Sequence, residues 1–322
     1  MERRTSAGFT IVIPTHNRYE KLMNLIASIS RIKLTNLDEV IVIDDSDVKR
    51  ELPSKMGEIK IRTVTSDRRI YISEAKNIGI YEAKSEFIYF IDDDNEVDES
   101  TFAFAIRVLE HNEDIGAVLP SVLYKQNRDL VWVYATPFKK GRWEHELIGR
   151  NKPRDSSLEN RVVDTDALPN AFLARKAALQ EVGGFSKILP IYNSAYLAYS
   201  LKTKGWKVVA HTGSFIFHDV LLPSKFGYWA EHQIPDKTRV KMEVRDWYIF
   251  MKIIHKDERL FTLKALSRSA RFLVPNSIVY LLNGGKLRFA LIKSEMEGVV
   301  DGLKASRDKE RLELDGQVTS FP

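Results

Sequence analysis

The stretch EFIYFIDDDNEVDES, residues 86–100, runs from five apolar residues at positions 87–91 straight into Asp92, Asp93 and Asp94. The apolar run predicts a strand that is buried on both faces, as in a parallel sheet covered by helices. Three adjacent carboxylates repel one another, and partial burial raises their pKa values unless a cation neutralises them. Hard divalent cations such as Mg²⁺ and Mn²⁺ bind one or two carboxylates together with phosphate oxygens of a substrate. The stretch therefore predicts a buried strand with a metal at its tip.

The same acids also have a purely structural interpretation. The segment ESTFAFAIRVLEH at residues 99–111 has a helical pattern, and Asp98 or Ser100 is a suitable cap for its first turn. A second acidic cluster, DDS at residues 44–46, follows the apolar run VIVI and would fit an Asx turn. Each cluster alone is ambiguous, but the occurrence of both after successive strands favours a nucleotide site.

Around these clusters, short β-branched runs alternate with longer helical patterns from Phe9 onward. This alternation predicts an α/β fold built on a parallel sheet, in which ligands bind at the carboxyl ends of the strands. Three polar clusters fall at such ends: PTHNR at residues 14–18, DDS at residues 44–46 and DDDN at residues 92–95. We therefore expect these clusters to meet in one site.

Two further segments define the organisation of the chain. Residues 139–164 are polar and without clear period, which predicts a long loop over one end of the sheet. Beyond about Tyr228 the chain becomes basic and helical, without strand alternation. A boundary between two parts of the chain is therefore expected near Pro235.

The composition of the 322-residue chain limits its chemistry. A hydrophobic content of 44% is enough for a full core. The chain contains no cysteine, which excludes disulfides, thiolate metal sites and thiol nucleophiles and is compatible with a reducing compartment. No apolar run reaches the roughly 20 residues of a membrane-spanning helix, and the first run is too short for a signal peptide. The formal net charge of +5 favours anionic partners.

Five segments taken together resemble the family 2 glycosyltransferases of the GT-A fold. They are IVIPTHNR, VIVIDDS, ISEAKNIGIYEAKSEFIYFIDDDN, ALPNAFLARKAALQEVGGFS and KGWKVVAHTGSFIFHD, which span residues 9–219 roughly. The resemblance implies an α/β fold of the GT-A type, with a Rossmann-like mixed sheet flanked by helices. It implies a nucleotide-sugar-binding catalytic domain at residues 1–235 and a basic helical extension at residues 236–322. It also implies an inverting glycosyltransferase that uses a UDP- or GDP-sugar, Mn²⁺ or Mg²⁺, and a glycan or lipid-phosphate acceptor.

The resemblance also implies roles for individual residues. Asp45 is expected to accept a hydrogen bond from the nucleotide base, and DDDN is expected to supply the family's DxD motif. Asp94 and His218 are the expected metal ligands. The expected donor-binding residues are Pro14, Thr15, Asn17, Arg18, Asp45, Lys76, Asn77, Asp92 and Asp93.

Three of these assignments have alternatives. Lys76 stands where the family usually has an arginine, and would otherwise be a solvated helix residue. A histidine that ends a strand, as His218 does, is often an ordinary surface or core residue. Arg68 and Arg69 would either meet the diphosphate or lie in a solvated loop.

The resemblance fails where family members carry the catalytic base. Inverting members use a carboxylate from an acidic pair after the GGF segment, and the corresponding residues here are Asn193 and Ser194. Neither is a base at neutral pH, although a general base contributes about 10² to 10⁴ in rate. Three explanations are open: an acceptor that is already ionised, such as a lipid phosphate; a protein that binds the donor with little turnover; or a substitute carboxylate from Asp164, Asp166 or Asp219.

The C-terminal segment RVKMEVRDWYIFMKIIHKDERL, residues 239–260, mixes apolar and basic residues. Such a helix either lies on an anionic membrane surface or packs its apolar stripe on the catalytic domain. We expect a cytoplasmic protein, which would be peripheral on the membrane in the first case. Nucleic-acid binding is not expected, because the basic residues are scattered and no base-reading module is evident. A nucleotidyltransferase would show a Gly-rich loop after the first strand, and PTHNRYEK lacks one.

Overall fold

The computed structural model describes residues 7–222, 236–283 and 285–308. In chain order its strands are β1 (Phe9–Thr15), β2 (Leu37–Asp44), β3 (Lys55–Met56), β4 (Ile59–Thr65), β5 (Phe87–Ile91), β6 (Asn95–Val97), β7 (Ile115–Tyr124), β8 (Asn127–Val133), β9 (Phe138–Lys139), β10 (Glu144–His145), β11 (Val162–Asp164), β12 (Ala171–Arg175) and β13 (Lys207–His218). Its helices are α1 (Tyr19–Ser30), α2 (Ile72–Glu82), α3 (Glu99–His111), α4 (Lys176–Glu181), α5 (Asn193–Thr203), α6 (Lys237–Ile254), α7 (Phe261–Asn283) and α8 (Arg288–Ala305).

Eleven strands form one mixed sheet in the order β11-β13-β7-β12-β5-β1-β2-β4-β3, with β6 beside β13 and β8 beside β7. β1 pairs in parallel with β2 and β5, whereas β12 is antiparallel to both β5 and β7. β13 is parallel to β7, so it runs in the same direction as β1. The predicted mixed sheet flanked by helices is therefore confirmed. The edge at which β1, β2, β5 and β13 end is called the carboxyl edge below.

Helices cover both faces of this sheet. On one face, Leu25 of α1 and Phe102 of α3 pack in a cluster with Ile11 of β1. On the other face, Ile80 of α2 packs in a cluster with Val12, the next residue of β1. Successive side chains of a strand point to opposite faces, so a strand covered on both sides is apolar throughout. Each of these buried side chains contributes about 1.5–3 kcal/mol through its removal from water.

The acids of residues 92–98 divide between two roles. Asp98 caps α3: its Oδ1 accepts a hydrogen bond from the Ser100 N–H at 2.9 Å, and Thr101 completes a capping box. The cap interpretation is thus right for Asp98. Asp92, Asp93 and Asp94 take no part in this cap, because they lie in a turn before β6. The turn is therefore free for another function.

Two predictions of local structure differ from the structure. The predicted loop at residues 139–164 contains the β9–β10 hairpin, a 3-10 turn at Ser156–Leu158 and β11. The apolar runs WKVVAH at residues 206–211 and SFIFHD at residues 214–219 each predict a separate strand, but they form the single strand β13, which has a register shift between His211 and Phe215. The shift interrupts the apolar pattern and made one strand look like two.

The C-terminal helices pack on the α/β part of the molecule. Trp247 and Phe250 of α6 share a hydrophobic cluster with Trp143 of the β9–β10 hairpin and Tyr196 of α5. The apolar stripe of α6 is therefore buried, as the packing alternative predicted. The expected boundary near residue 235 falls in residues 223–235, which lie outside the described residues, and the division into two domains stays a prediction. None of the helices in the described ranges is long and apolar enough to cross a membrane.

Candidate active site

The turn that contains Asp92, Asp93 and Asp94 lies at the carboxyl edge, between β5 and β6. β6 pairs with the end of β13 in a register that sets Asn95 opposite His218. The backbone N–H of Asp219 also donates to the Asp94 carbonyl at 2.9 Å. This pairing places His218 Nε2 3.8 Å from Asp94 Oδ1. The structure thus brings the two predicted metal ligands together.

Asp94 keeps its negative charge in this setting. Its side chain is 19% exposed, and Arg18 Nη1 donates to its Oδ2 at 2.9 Å. Burial acts to raise the pKa of Asp94, but His218, Arg18 and Lys21 outweigh burial and lower it to about 2. The carboxylate is therefore ionised at any physiological pH, as a metal ligand must be.

Asp93 is the buried centre of the turn. Its side chain is fully buried, Thr15 Oγ1 donates to its Oδ2 at 2.7 Å, and Arg18 Nη2 lies 3.0 Å from its Oδ1. Burial raises the pKa of Asp93 to about 7, although Arg18 and Thr15 act in the opposite direction. Because the carboxylate has no exposed surface, Asp93 can act on a donor only through the positions of Thr15 and Arg18.

The donor set of Asp94 and His218 fits a divalent metal that also binds a substrate. The pair offers one carboxylate oxygen and one imidazole nitrogen, and His218 Nδ1 is buried without a hydrogen-bond partner among the described residues. Within the same residues, His, Cys, Asp and Glu form no group of three that could hold a metal by itself. Mn²⁺ and Mg²⁺ usually complete their coordination with phosphate oxygens and water. A metal bound here would therefore take its remaining ligands from phosphate oxygens of a substrate and from water.

Lys76 lies inside the site and not in solvent. It is 3% exposed, and its Nζ lies 3.1 Å from Asp92 Oδ1 and 5.7 Å from the ring centroid of Phe185. The alternative of a solvated helix position is wrong. A buried ammonium beside a carboxylate that is itself about a quarter exposed can reach an anion at the mouth of the turn.

The side chain of Asn77, which was predicted to bind the donor, instead forms two hydrogen bonds with the backbone of Phe185. Its Nδ2 donates to the Phe185 carbonyl at 2.9 Å, and its Oδ1 accepts from the Phe185 N–H at 2.7 Å. Gly184 has a φ of +76°, and a Cβ at this position would lie 2.4 Å from Asn77 Oδ1. Glycine is therefore required here by both conformation and space. The contact fixes α2, and with it Lys76, against the segment after α4.

Asp45 lies at the end of β2 and is 7% exposed. Its Oδ2 accepts from the Ile70 N–H at 2.8 Å, Arg69 Nη1 lies 3.1 and 3.2 Å from its two oxygens, and His16 Nδ1 lies 3.0 Å from its Oδ1. Arg69 therefore pairs with Asp45, whereas the exposed Arg68 pairs with Glu74. Asp45 anchors the loop before α2 and holds Arg69 and His16 beside the site predicted for the nucleotide base.

The remaining predicted donor residues come from β1 and the turn after it. Pro14 is buried in β1 opposite Ile43. Asn17 is exposed and has a φ of +56°, a left-handed conformation that Asn tolerates better than most residues. Its side chain donates to Asp47 Oδ2 at 2.7 Å and accepts from the Asp47 N–H at 3.0 Å. The Asn17 N–H also donates to Ser46 Oγ at 2.8 Å, which joins the PTHNR and DDS clusters, as expected from their positions at adjacent strand ends.

The residues at the predicted base position begin α5. Asn193 is buried, and its side chain donates to the Pro190 carbonyl at 2.5 Å. Ser194 is partly exposed on the same turn. Neither residue carries a carboxylate, so the candidates for the catalytic base are the three aspartates considered above.

Those three aspartates occupy two different places. Asp164 and Asp166 both accept a hydrogen bond from Lys202 Nζ at 2.7 Å, in the last turns of α5. Asp166 also accepts from the Phe138 N–H at 2.7 Å. Asp219, in contrast, is joined to the acidic turn through its backbone bond to Asp94. Its carboxylate is a third exposed, so of these three aspartates it is the one joined to the predicted metal pair.

Sequence reasoning missed several polar residues of the site. His16 contacts Asp45, Lys21 Nζ lies 3.4 Å from Asp219 Oδ2, and Gln126 donates to Asp219 Oδ1 at 2.8 Å. His16 stands inside the PTHNR cluster, so its position at a strand end was a usable signal. Gln126 lies in the short turn between β7 and β8, where no sequence pattern pointed to the site.

The model of the family described as "Glycosyl transferase family 2" matches residues 10–183. The chain belongs to this glycosyltransferase family. The matched residues are more than half of the chain and run from β1 to the end of α4. They include the acidic turn, Asp45 and Lys76, and so the resemblance of the sequence to family 2 is confirmed.

Sequence similarity to curated relatives of this glycosyltransferase is low. An uncharacterized glycosyltransferase of Haemophilus influenzae is 23% identical over 109 residues, which are 34% of this chain and 37% of that protein. The match thus covers little more than a third of the length of the relative. It supports the family and carries no information on substrates.

Three solved structures resemble the glycosyltransferase over nearly its whole length. GalNAc-T7 with UDP, GalNAc and Mn²⁺ has a TM-score of 0.59 at 16% identity, covering 99% of this chain and 59% of that one. The mannosyltransferase PcManGT of Pyrobaculum calidifontis with GDP-Man and Mn²⁺ has a TM-score of 0.55 at 15% identity, covering 95% and 88%. Residues 1–349 of S. aureus TarS with UDP-GlcNAc give 0.52 at 14%, covering 97% and 90%. At these identities the likeness shows the fold, and the GT-A prediction is confirmed.

Proposed function

We propose that this family 2 glycosyltransferase moves a sugar from a UDP- or GDP-sugar to a glycan or lipid-linked acceptor, with Mn²⁺ or Mg²⁺ bound at Asp94 and His218. The observation that carries the proposal is the approach of His218 Nε2 to within 3.8 Å of an ionised Asp94 at the carboxyl edge. Complexes of the structural neighbours GalNAc-T7 and PcManGT with a nucleotide or nucleotide sugar and Mn²⁺ support the same ligands here. The absence of cysteine fits a cytoplasmic location.

The charges around the turn suit a diphosphate leaving group. Breaking the glycosidic bond places negative charge on the nucleotide diphosphate, and preorganised cations stabilise that charge. Two cations contact the acidic turn. Arg18, which is about half exposed, lies beside Asp93, and the buried Lys76 lies beside Asp92. A bound divalent metal would supply further charge stabilisation of the diphosphate. In this scheme Arg18 and Lys76 exchange part of their pairing with Asp94 and Asp92 for phosphate oxygens.

The nucleoside end of the donor belongs, in this proposal, beside Asp45. Asp45 keeps Ile70 and Arg69 in place and has an oxygen directed at each. The nucleotide base would replace one of the hydrogen bonds that Asp45 now accepts, and Pro14 and Thr15 would form the floor of the nucleoside site. Asn77 acts in this scheme as a positioning residue, since its side chain holds α2 and not the donor.

For an inverting reaction with a hydroxyl acceptor, Asp219 is the substitute base that we favour over Asp166. Asp219 directly follows His218 and its backbone N–H bonds to Asp94, whereas Asp166 is held by Lys202 in the last turns of α5. A phosphate acceptor would need no base, because its oxygen is already ionised at neutral pH. Asn193 and Ser194 would then only leave room for the acceptor or donate hydrogen bonds.

A second candidate function is donor binding with little turnover. It is favoured by one observation, the absence of a carboxylate at Asn193 and Ser194. Incubation of labelled UDP- and GDP-sugars with the protein and Mn²⁺ separates the two functions, since an enzyme releases labelled sugar or transfers it. Binding is measured in parallel by the thermal shift that each donor gives with and without Mn²⁺.

The proposed function predicts a Mn²⁺-dependent thermal shift for at least one donor together with turnover of that donor. A shift without turnover, in the presence of both hydroxyl and phosphate acceptors, would favour the donor-binding protein. If no UDP- or GDP-sugar gives a Mn²⁺-dependent shift, both functions are wrong.

A further inference from the structure

The helix α7 carries two apolar stripes, and only one of them is covered. Its inner stripe includes Phe261, Ala265 and Tyr280, which are buried against the neighbouring helices. A second set of apolar residues, separated by three, eight, four, three and one positions, lies mainly on the other side of the helix. This outer stripe is exposed at Leu263 (64%), Leu266 (42%), Val274 (57%), Ile278 (52%), Leu281 (44%) and Leu282 (77%). A surface helix normally has a single apolar stripe, so the exposed outer stripe indicates a surface that binds a partner.

The exposed apolar surface continues past the end of α7. Leu287 is 47% exposed and Phe289, in the first turn of α8, is 67% exposed. Leu260, directly before α7, is 70% exposed and has a φ of +59°, which is unfavourable for a leucine. Within the described residues, nine of the seventeen exposed large apolar side chains lie in residues 260–289. Scattered exposed leucines need no explanation, but such a concentration does.

The charge of this region indicates which chemical class of partner it binds. Residues 260–294 contain six basic residues and no Asp or Glu. The basic residues are Lys264, Arg268, Arg271, Lys286, Arg288 and Lys293. This segment therefore has a formal charge of +6, more than the +5 of the whole chain, and the rest of the chain sums to −1. Glu258 pairs with Lys264 and Glu297 lies 3.9 Å from Lys293, whereas Arg271, Lys286 and Arg288 form no ion pair within the described residues.

We propose that the outer stripe and its basic border bind the surface of an anionic lipid bilayer. An interfacial helix combines exposed large apolar side chains with Lys and Arg, and lies in the plane of the membrane. Basic residues are attracted to anionic headgroups, which an apolar protein partner would not require. α7 has 23 residues and is therefore about 34 Å long, enough to lie along the surface with its inner stripe still packed on the protein. The membrane-binding surface of the protein is thus formed by α7 and the start of α8, and not by α6.

This surface is independent of the proposed glycosyl transfer, because vesicle binding is read without donor or metal. The full chain is incubated with phosphatidylcholine vesicles and with vesicles containing 30% phosphatidylglycerol, and the bound fraction is measured by co-sedimentation. We expect binding to the anionic vesicles at least tenfold tighter than to the neutral ones, and weaker in high salt.

Two double variants test the two parts of the surface. Leu266→Gln with Ile278→Gln removes apolar contact, and Arg271→Glu with Lys286→Glu reverses charge; each should weaken binding to anionic vesicles at least tenfold. Tyr81→Gln, at an exposed position of α2, and Lys84→Glu are the matched controls and should bind as the unchanged protein does. All substituted residues are surface residues, so unchanged thermal melting shows that the variants are folded.

Three results would overturn the proposal. They are equal affinity for neutral and anionic vesicles, binding by both double variants that matches the controls, and a lack of vesicle binding by the unchanged protein. Light scattering of the free protein covers the other occupant of such a stripe, a second copy of the chain. Concentration-dependent dimers that are lost in Leu266→Gln with Ile278→Gln would assign the stripe to self-association.

Discussion

The carboxylate of Asp246 in α6 accepts a hydrogen bond from the backbone N–H of Ile191 at 2.9 Å. Asp246 is completely buried, and Arg245 Nε donates to its other oxygen at 2.9 Å. Ile191 stands two residues before Asn193, the first residue of α5. The C-terminal helices therefore fix the start of the helix on which the family's base would lie, and they are connected to the proposed acceptor side of the site.

Replacement of Asp246 should damage both stability and transfer. Asp246→Ala leaves the Ile191 N–H and the Arg245 guanidinium without their buried partner, and we expect a loss of about 3 kcal/mol in the free energy of unfolding. Donor binding should persist, because Asp246 contacts Ile191 and Arg245 and not Asp45 or Asp94. Urea unfolding and donor thermal shifts measure the two effects. The matched control is Asp301→Ala, which breaks a partly exposed pair with Lys241 and should have a much smaller effect on unfolding.

Asp94 should determine the metal dependence of donor binding. Asp94→Asn removes the ionised oxygen beside His218, so the thermal shift caused by donor should no longer depend on Mn²⁺, and turnover should fall at least a hundredfold. Glu96→Gln is the control, since Glu96 of β6 pairs with Arg128 of β8. An Asp94→Asn protein that keeps the Mn²⁺ dependence of the unchanged protein would exclude Asp94 as a metal ligand.

Asp45 should govern binding of the nucleotide and not the choice of sugar. Asp45→Ala removes the acceptor for the Ile70 N–H and frees Arg69, so the loop before α2 loses its anchor. We expect equal weakening of free nucleotide and nucleotide sugar in isothermal titration. Asp67→Ala, at an exposed position of the same loop, should have no such effect. A loss confined to the sugar-bearing ligand would rule out the base-binding role.

The acceptor can be characterised by a change of one residue. If the acceptor is a phosphate, Ser194→Asp places a like charge beside it and should slow transfer. If the acceptor is a hydroxyl and the site lacks its base, the same change should accelerate transfer. Ser194→Asn separates charge from size. Acceleration refutes the phosphate acceptor, and the absence of any effect would mean that the start of α5 is not at the acceptor.

Glu295 of α8 predicts a pH dependence of stability. It is 1% exposed, and burial raises its pKa above the ordinary value of 4.5, although contacts with Asn276 and Ser277 oppose this. The folded state therefore binds this proton more tightly than the unfolded state. Its stabilisation is complete below pH 4.5 and is lost as the pH rises through the higher pKa of the folded protein.

Glu295→Gln should remove this pH dependence. The variant has no carboxyl group to ionise, while its amide oxygen can still accept a hydrogen bond from Ser277. We expect a higher melting temperature than that of the unchanged protein at pH 7, and little difference at pH 4. Glu297→Gln, on the same helix but 44% exposed, serves as the control. A melting temperature that is lower at pH 7 would contradict the assignment.

The sequence predicted those parts of the molecule that depend on local pattern. Apolar runs located β1, β2 and β5, and the polar clusters after them located the carboxyl edge. β6 was missed because three residues, NEV, have no strand pattern, and the pairing with β13 exists only in the folded chain. The side chain of Asn77 was assigned to the donor because its partner, the Phe185 backbone, lies 108 residues away.

Local sequence pattern also could not predict which side chains are buried. The pattern of α2 allows Lys76 to face solvent, and only the approach of Phe185 and Asp92 shows that it is enclosed. The same holds for α6 and α7, which both mix apolar and basic residues. α6 is covered on its apolar side by the β9–β10 hairpin and α5, whereas α7 keeps a second stripe in solvent. Which helix is covered depends on tertiary packing, and no single-segment argument decides it.

The pairing of β6 with β13 also determines when the two predicted metal ligands can meet during synthesis. Among the described residues, β13 is the last strand of the sheet along the chain, and it carries His218 to Asp94. A nascent chain on the ribosome that ends before β13 therefore contains Asp94 and its turn but lacks His218. The pair can form only after residues 207–218 have been synthesised, so no shorter N-terminal fragment of the chain contains it.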